Sequence, residues 1–300
     1  MKKLTKILLL CALVLCLSGG ALLAGGAWAG GFDALENIAS ANLHTYSQDK
    51  LPLGTITSLN ADLDTTDLTL RPSDDDQVYL DYHLDSTSDS NPLKYSVQDG
   101  VLTLNEHQKE NYNLTFFGLG PLSDYDINYN PVRTVTLYLP QQQLDNVQIA
   151  LSVGNCTIDG LNTKAFGMDL NIGDLHLKNT SLAQIDLSLD TGCVEVENTT
   201  LNGGSIELST GDLTGEGLTF TGTNQIELST GSATIALAPE SIDPLFIDAT
   251  TSLGDVSAPK AWAGNLLATD DLSSHYQRVP QGTTSGTLTI NADMGDVTFT

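Results

Sequence analysis

The residues with the best claim to chemistry are carboxylates set at a fixed interval. Asp169, Ser188, Glu207 and Glu227 each stand four places before a glycine, and Glu207 and Glu227 fall on successive repeats. Two carboxylates brought side by side in a cleft can divide general-acid and general-base work on a glycosidic bond. No base, histidine or aromatic platform recurs beside them at the same offset. The row therefore reads first as a solvated strand face, with a polysaccharide-acting enzyme as the alternative.

A second acidic row, Asp174, Asp212, Asp255 and Asp296, follows directly on glycines. Stacked in register it would line one edge and invite a metal ladder, but Asn155, Cys193 and Ser232 interrupt it. Its period is not that of the nine-residue calcium-binding repeats. Aspartate after glycine is a turn former whose oxygens accept backbone amides, so no metal site and no cofactor is predicted. His176 and Glu195 share one offset on adjacent repeats and are expected to pair on the surface. No nucleophilic triad, phosphate loop or dinucleotide fingerprint occurs, so no catalytic residue is assigned.

The elements that must position these residues follow from the glycines. The hexapeptide Ile-Glu-Leu-Ser-Thr-Gly occurs twice, ending at Gly211 and Gly231. Gly154, Gly173, Gly192, Gly211 and Gly231 recur at a nearly constant interval, and Gly254 and Gly295 continue the series at longer ones. A fixed period of this size means stacked structural repeats. In the repeat at Gly192, Ile185, Leu187 and Leu189 alternate with polar residues before it, and Val194 and Val196 after it, so each arm is a half-buried strand. The inside face changes parity across Thr191-Gly192, which requires a corner where glycine's tolerance of positive φ is useful. A second corner lies near Asn179-Thr180 and Asn198-Thr199. The expected fold is all-β: a single-stranded β-solenoid of about 19–20 residues per rung, with an N-terminal antiparallel β cap and one N-terminal transmembrane helix.

The same register separates the two cysteines beyond the N-terminal segment. Cys156 takes an inward slot and Cys193 an outward one, two rungs or roughly 9.6 Å apart, too far for a disulfide.

Lys2, Lys3 and Lys6 precede a run from Ile7 to Ala29 that holds no charge. As a helix that run reaches roughly 34 Å, enough to cross a hydrocarbon core of about 30 Å, and the basic residues before it direct the remainder outward. Ala27-Trp28-Ala29 has the small-x-small form of a cleavage site, so a removed signal peptide is the competing reading. The predicted organisation is a cytoplasmic stub and anchor or signal peptide over 1–31, a tether over 32–50, an N-terminal β region over 51–145 and repeats over 146–300. The expected location is the cell membrane, single-pass, with the C-terminal domain outside the cytoplasm. The net charge of −25 excludes nucleic acid as a partner.

Within the N-terminal β region, Asp99-Gly100 between two strand-like runs is a hairpin signal, and a cap would protect the open edge of the repeats. From Glu106 to Pro131 the alternation stops, and Tyr112, Phe116, Phe117, Tyr125 and Tyr129 accumulate. A long aromatic segment either plugs the end of the repeats or presents a ligand-binding surface; the plug is preferred, and these five are the candidate ligand-binding residues. Pro259 to Gly286 shows no convincing alternation and reads largely as loop.

The Leu59-Asn-Ala-Asp-Leu-Asp-Thr-Thr-Asp-Leu-Thr-Leu70 element, the Val135-Thr-Leu-Tyr-Leu-Pro140 strand and the Ser-Thr-Gly-Asp rungs resemble a bacterial family of membrane-anchored candidate adhesins of unknown function. The resemblance covers most of residues 52 to 300. It implies a cell-envelope location and carries no catalytic residue. The combined reading is a non-enzymatic envelope interaction or scaffold protein, with the membrane and other surface components as partners. A surface polysaccharide enzyme and an envelope-stress regulatory ectodomain are the alternatives.

Overall fold

The computed structural model describes residues 44–75, 77–86, 88–107, 132–262, 264–268, 272–280 and 282–300. Two compact units are separated, one of residues 1–45, 85–90 and 109–131, the other of 46–84, 91–108 and 132–300. In the described part of the first, Thr45 Oγ1 donates to Asp85 Oδ1 at 2.7 Å. The second holds nearly all the described strands.

In chain order the strands are β1 (His44–Gly54), β2 (Ser58–Thr65), β3 (Asp67–Pro72), β4 (Val78–Ser86), β5 (Leu93–Gln98), β6 (Val101–Glu106) and β7 (Arg133–Leu139). The repeat supplies β8 (Asn146–Val153), β9 (Cys156–Asp159), β10 (Asn162–Thr163), β11 (Phe166–Ile172), β12 (Leu175–Lys178), β13 (Ser181–Thr191), β14 (Val194–Glu197), β15 (Thr200–Thr210), β16 (Leu213–Thr230) and β17 (Ala233–Leu237). After the short helix α1 (Pro239–Ile242) come β18 (Leu245–Leu253), β19 (Val256–Ser257), β20 (Gly264–Ala268), β21 (Ser274–Arg278), β22 (Gly286–Met294) and β23 (Val297–Phe299).

Each turn places one strand on each of two faces, in register with its equivalent on the next turn. Leu189 of β13, for example, lies between Leu170 of β11 and Leu208 of β15. Leu63, Leu151, Leu170, Leu189, Leu208 and Leu228 thereby form one inward column, each no more than 2% exposed. The corner glycines have φ between 138° and 151°. A Cβ on Gly192 would stand 1.8 Å from the carbonyl oxygen of Gly173, so the close stacking of corners requires glycine there as well as the conformation.

Two findings correct the expected fold class. First, the 23 strands among the described residues form a single sheet wound on itself, nearly closed and barrel-like, rather than a single-stranded solenoid in chain order behind an N-terminal cap. The turn β22–β23, last in sequence, lies between β16–β17 on one side and β18–β19 on the other. The turn β2–β3 likewise lies between β6–β7 and β8–β9. Turns built on one pattern present interchangeable edges, so sequence order does not dictate spatial order. Antiparallel pairs occur toward both ends of the ladder, β4 with β7 and β5 with β6 at one, and β18 with β21 and β20 with β21 at the other.

Second, no described helix is long and apolar enough to cross a membrane, so the transmembrane helix of the expected fold is not found. Residues 1–43, where it was placed, lie outside the described residues. Smaller differences concern segments without clear period: His44–Gly54 is a strand, and β20 and β21 occupy part of the stretch read as loop. There pairing with a neighbouring strand, which leaves little mark on hydrophobic spacing, decides the conformation.

Candidate functional site

The acids after the corner glycines are joined by hydrogen bonds from turn to turn. Asp67 Oδ1 accepts the Asn155 amide at 2.7 Å, Asn155 Oδ1 the Asp174 amide at 3.0 Å, and Asp174 Oδ1 the Cys193 amide at 2.8 Å. Asp212 Oδ1 accepts from Ser232, Ser232 Oγ from Asp296, and Asp296 Oδ1 from Asp255. The row is thus occupied with amides, as turn chemistry predicts for this residue type. It breaks at Cys193, which offers no oxygen to the next amide.

The Glu207 and Glu227 pair stands in register on neighbouring strands, with Ser188 on one side and Asn291 on the other. Both are exposed on an open strand face, and Gln225 Nε2 donates to Glu227 Oε1 at 2.6 Å. His176 Nδ1 lies 3.0 Å from Glu195 Oε2, the expected surface pair. Cys156 is buried and Cys193 exposed, both free, and burial pushes the Cys156 thiol pKa far above its ordinary range. The corner glycines stack in the order Gly154, Gly173, Gly192, Gly211, Gly231, Gly295 and Gly254, each against the carbonyl of the turn before it. The aromatic set Tyr112, Phe116, Phe117, Tyr125 and Tyr129 lies outside the described residues.

Two arrangements escape sequence reasoning. One step beyond the Asp62–Asn105 pair, the slot beside Leu63 is taken by Glu106, so an acid ends the inward leucine column. Its side chain is fully buried and pairs with Arg133 Nη2, itself 5% exposed. Glu106 Oε2 also accepts the Asp64 amide at 3.1 Å, and Arg133 Nε donates to the Thr65 carbonyl at 2.9 Å. The alternation Leu102, Leu104, Glu106 was the available signal.

The other is a groove of about 190 Å³ on the outer face of β3, β9, β12 and β14, where Arg71, His176 and Lys178 stand among Asp159, Glu195 and Glu197. Lys178 Nζ pairs with Glu197 Oε2 at 2.7 Å. The hydrogen bond to Glu197, reinforced by that carboxylate's charge, raises the Lys178 pKa. At the near end, Arg71 stands opposite Tyr138, and Tyr138 opposite Tyr79. Arg71 Cζ lies 5.7 Å and Lys50 Nζ 4.9 Å from the centroid of the Tyr138 ring, so one ring holds two cations. Tyr79 donates its hydroxyl hydrogen to Asp75 Oδ2 at 2.7 Å. That bond raises the tyrosine's pKa and is the main reason the Asp75 pKa lies below 3.8.

An all-β sheet wound into stacked turns, with a strongly acidic composition, defines the class of protein. The chain belongs to the Toastrack DUF4097 family, whose model matches residues 56–187 and 143–300. Among solved structures, it is similar to a candidate adhesin from Bacteroides fragilis NCTC 9343, at 13% identity and a TM-score of 0.41 over 87% of this chain and 98% of that one. A candidate cell adhesion protein from Clostridium sporogenes ATCC 15579 matches at 14% identity, TM-score 0.31, over 86% and 97%. A candidate lipid-binding protein from Parabacteroides distasonis ATCC 8503 matches at 11%, TM-score 0.31, over 86% and 97%. Likeness at this level says nothing of ligand or role. No curated protein matches.

Proposed function

We propose that this chain is a non-enzymatic interaction protein of the cell envelope, displayed outside the cytoplasm and acting as an adhesin or scaffold. The observation that carries the reading is the state of its aligned carboxylates. Asp67, Asp174, Asp212 and Asp296 accept backbone amides, and Glu207 and Glu227 lie exposed on an open strand face rather than across a cleft. Shared acid-base work on one bond needs a cleft that holds the substrate between two carboxylates, and an open strand face is not one. Export is supported by the basic residues Lys2, Lys3 and Lys6 before an uncharged apolar run. The acidic surface suits a protein that must stay soluble while presenting one site.

The test is to offer labelled full-length protein to intact bacterial cells and, separately, to a panel of polysaccharides. Saturable binding to cells without release of reducing ends is expected. Release of reducing ends that disappears in the Glu207→Gln/Glu227→Gln variant would replace this reading with the enzyme.

A further inference from the structure

We propose that two copies of this chain pair through strand β5, each laying it antiparallel against the other, so that the sheet of one copy runs into the sheet of its partner. The inference concerns assembly and holds whatever the protein binds. Among the described residues β5 pairs with β6 alone, in consecutive steps from Leu93–Glu106 to Gln98–Val101. Its Val97 and Tyr95 face inward and continue two apolar columns, one of Val147, Leu59 and Leu102, the other of Ile149, Ala61 and Leu104. Those six residues are no more than 3% exposed, whereas Val97 and Tyr95 are 37% and 40% exposed. The core runs out to solvent at this strand.

Other strands near the ends of the ladder carry features that discourage pairing with a further chain. Strand β1, paired with β4, holds Pro52 and the positive-φ Lys50, and β19 is only two residues long. Strand β5 has no proline and no bulge against β6, and its single charge, Lys94, donates to the Asn91 carbonyl at 2.9 Å. An edge left open in this way accepts another strand.

Charge and register select a second copy as that strand. Residues 91–105 hold one base, Lys94, and one acid, Asp99, in a chain of 12 basic and 37 acidic residues, so two copies approach here with the least repulsion. Asp99 and Gly100, with φ of 51° and 79°, form the two-residue turn of the hairpin. Gln98 and Val101, which flank such a turn, exchange their backbone hydrogen bonds, and the alternation of an antiparallel pair then points the amides and carbonyls of Tyr95 and Val97 away from β6. A two-fold axis at Ser96 sets Tyr95 of each copy opposite Val97 of the other. There the outward backbone groups bond, and the apolar side chains close both columns. The same register sets Lys94 opposite Gln98, so no like charges meet.

The experiment follows the full-length protein by analytical ultracentrifugation across concentration and salt. A monomer–dimer equilibrium is expected, tightening as salt rises because screening weakens the repulsion between two acidic copies. Val97→Lys puts an inward charge on the edge and removes both Tyr95–Val97 pairs of the dimer, so it should raise the dissociation constant about tenfold while keeping the parent melting temperature. Register is read independently by cross-linking in a Cys11→Ser/Cys16→Ser/Cys193→Ser background. Ser96→Cys brings two thiols across the axis, with Cα atoms about 4.5 Å apart, and should give a disulfide-linked dimer on mild oxidation. Lys94→Cys, whose two copies stand about 14 Å apart, should not. A protein that stays monomeric, a dimer indifferent to Val97→Lys or loosened by salt, or equal cross-linking at the two positions would overturn the inference. Cell attachment lost with Val97→Lys in a protein that stays monomeric would also overturn it and give the edge to a strand of another protein.

Discussion

Asp174 Oδ1 accepts the backbone amide of Cys193 at 2.8 Å, and Cys193 returns no such bond to Asp212. Side-chain oxygens at this position join each turn to the next from Asp67 to Asp255, and among the described residues the cysteine is the one break. Asn155 shows that an amide side chain fills the slot equally well, accepting from Asp174 at 3.0 Å. Asparagine also avoids a third negative charge between Asp174 and Asp212.

Cys193→Asn should therefore stabilise the protein by about 0.5–1.5 kcal/mol, the net worth of one added hydrogen bond. Urea midpoints of the two proteins decide it, since an unchanged or lower midpoint would remove the ladder from the account.

The buried Glu106–Arg133 pair predicts the opposite sign. Glu106→Gln leaves Arg133 charged beneath the surface and should cost about 3–5 kcal/mol. Replacing both, as Glu106→Leu/Arg133→Met, continues the leucine column of Leu63 and should recover most of that loss. If the single and double variants unfold at the same urea concentration, the pair is not what closes this end of the column.

The bond between Tyr79 and Asp75 sets a pH response at each end of the scale. The Asp75 pKa is lowered from 3.8, so its contribution is present above that value and lost as pH falls through the lower folded value. The Tyr79 pKa is raised from 10.0, so its contribution is present below that value and lost as pH rises through the higher folded value. Tyr79→Phe should move the Asp75 carboxyl titration, followed by NMR, upward toward 3.8. A midpoint that stays in place would assign the shift to other neighbours.

Placement of the last turn gives a prediction about dynamics. Chain ends ordinarily fray, but β22 is hydrogen-bonded on both sides, to β16 and β18. Leu288 and Ile290 are fully buried. Their amides should exchange with solvent as slowly as those of Leu187 and Ile206 in the middle of the ladder. Fast exchange over residues 286–299 would mean that this turn is not held between its two neighbours.

These cases show what the sequence carries and what it does not. The glycine spacing and the alternation around it foretell the inward column, the corners, the Cys156 and Cys193 faces and the His176–Glu195 pair, because each is fixed within one turn or between adjacent turns. The order of turns is not written there: residues 288–299 match the template as well beside Ile226 as beside Ile247, and only pairing chooses both. The contacts of Tyr138 were hidden for a related reason. Lys50 falls in a stretch without period, while Arg71 and Tyr138 are far apart in sequence and meet only because β3 pairs with β7. The Glu106–Arg133 pair spans the aromatic interruption, so spacing alone offered no reason to join them.

The central claim, that this protein works by attachment and not by catalysis at the aligned carboxylates, is tested most directly by attachment of a gene-deletion strain complemented with two chains. The parent chain and Glu207→Gln/Glu227→Gln are predicted to restore attachment equally. Failure of the parent chain to restore attachment, or loss of attachment with the Glu207→Gln/Glu227→Gln chain, would contradict the account.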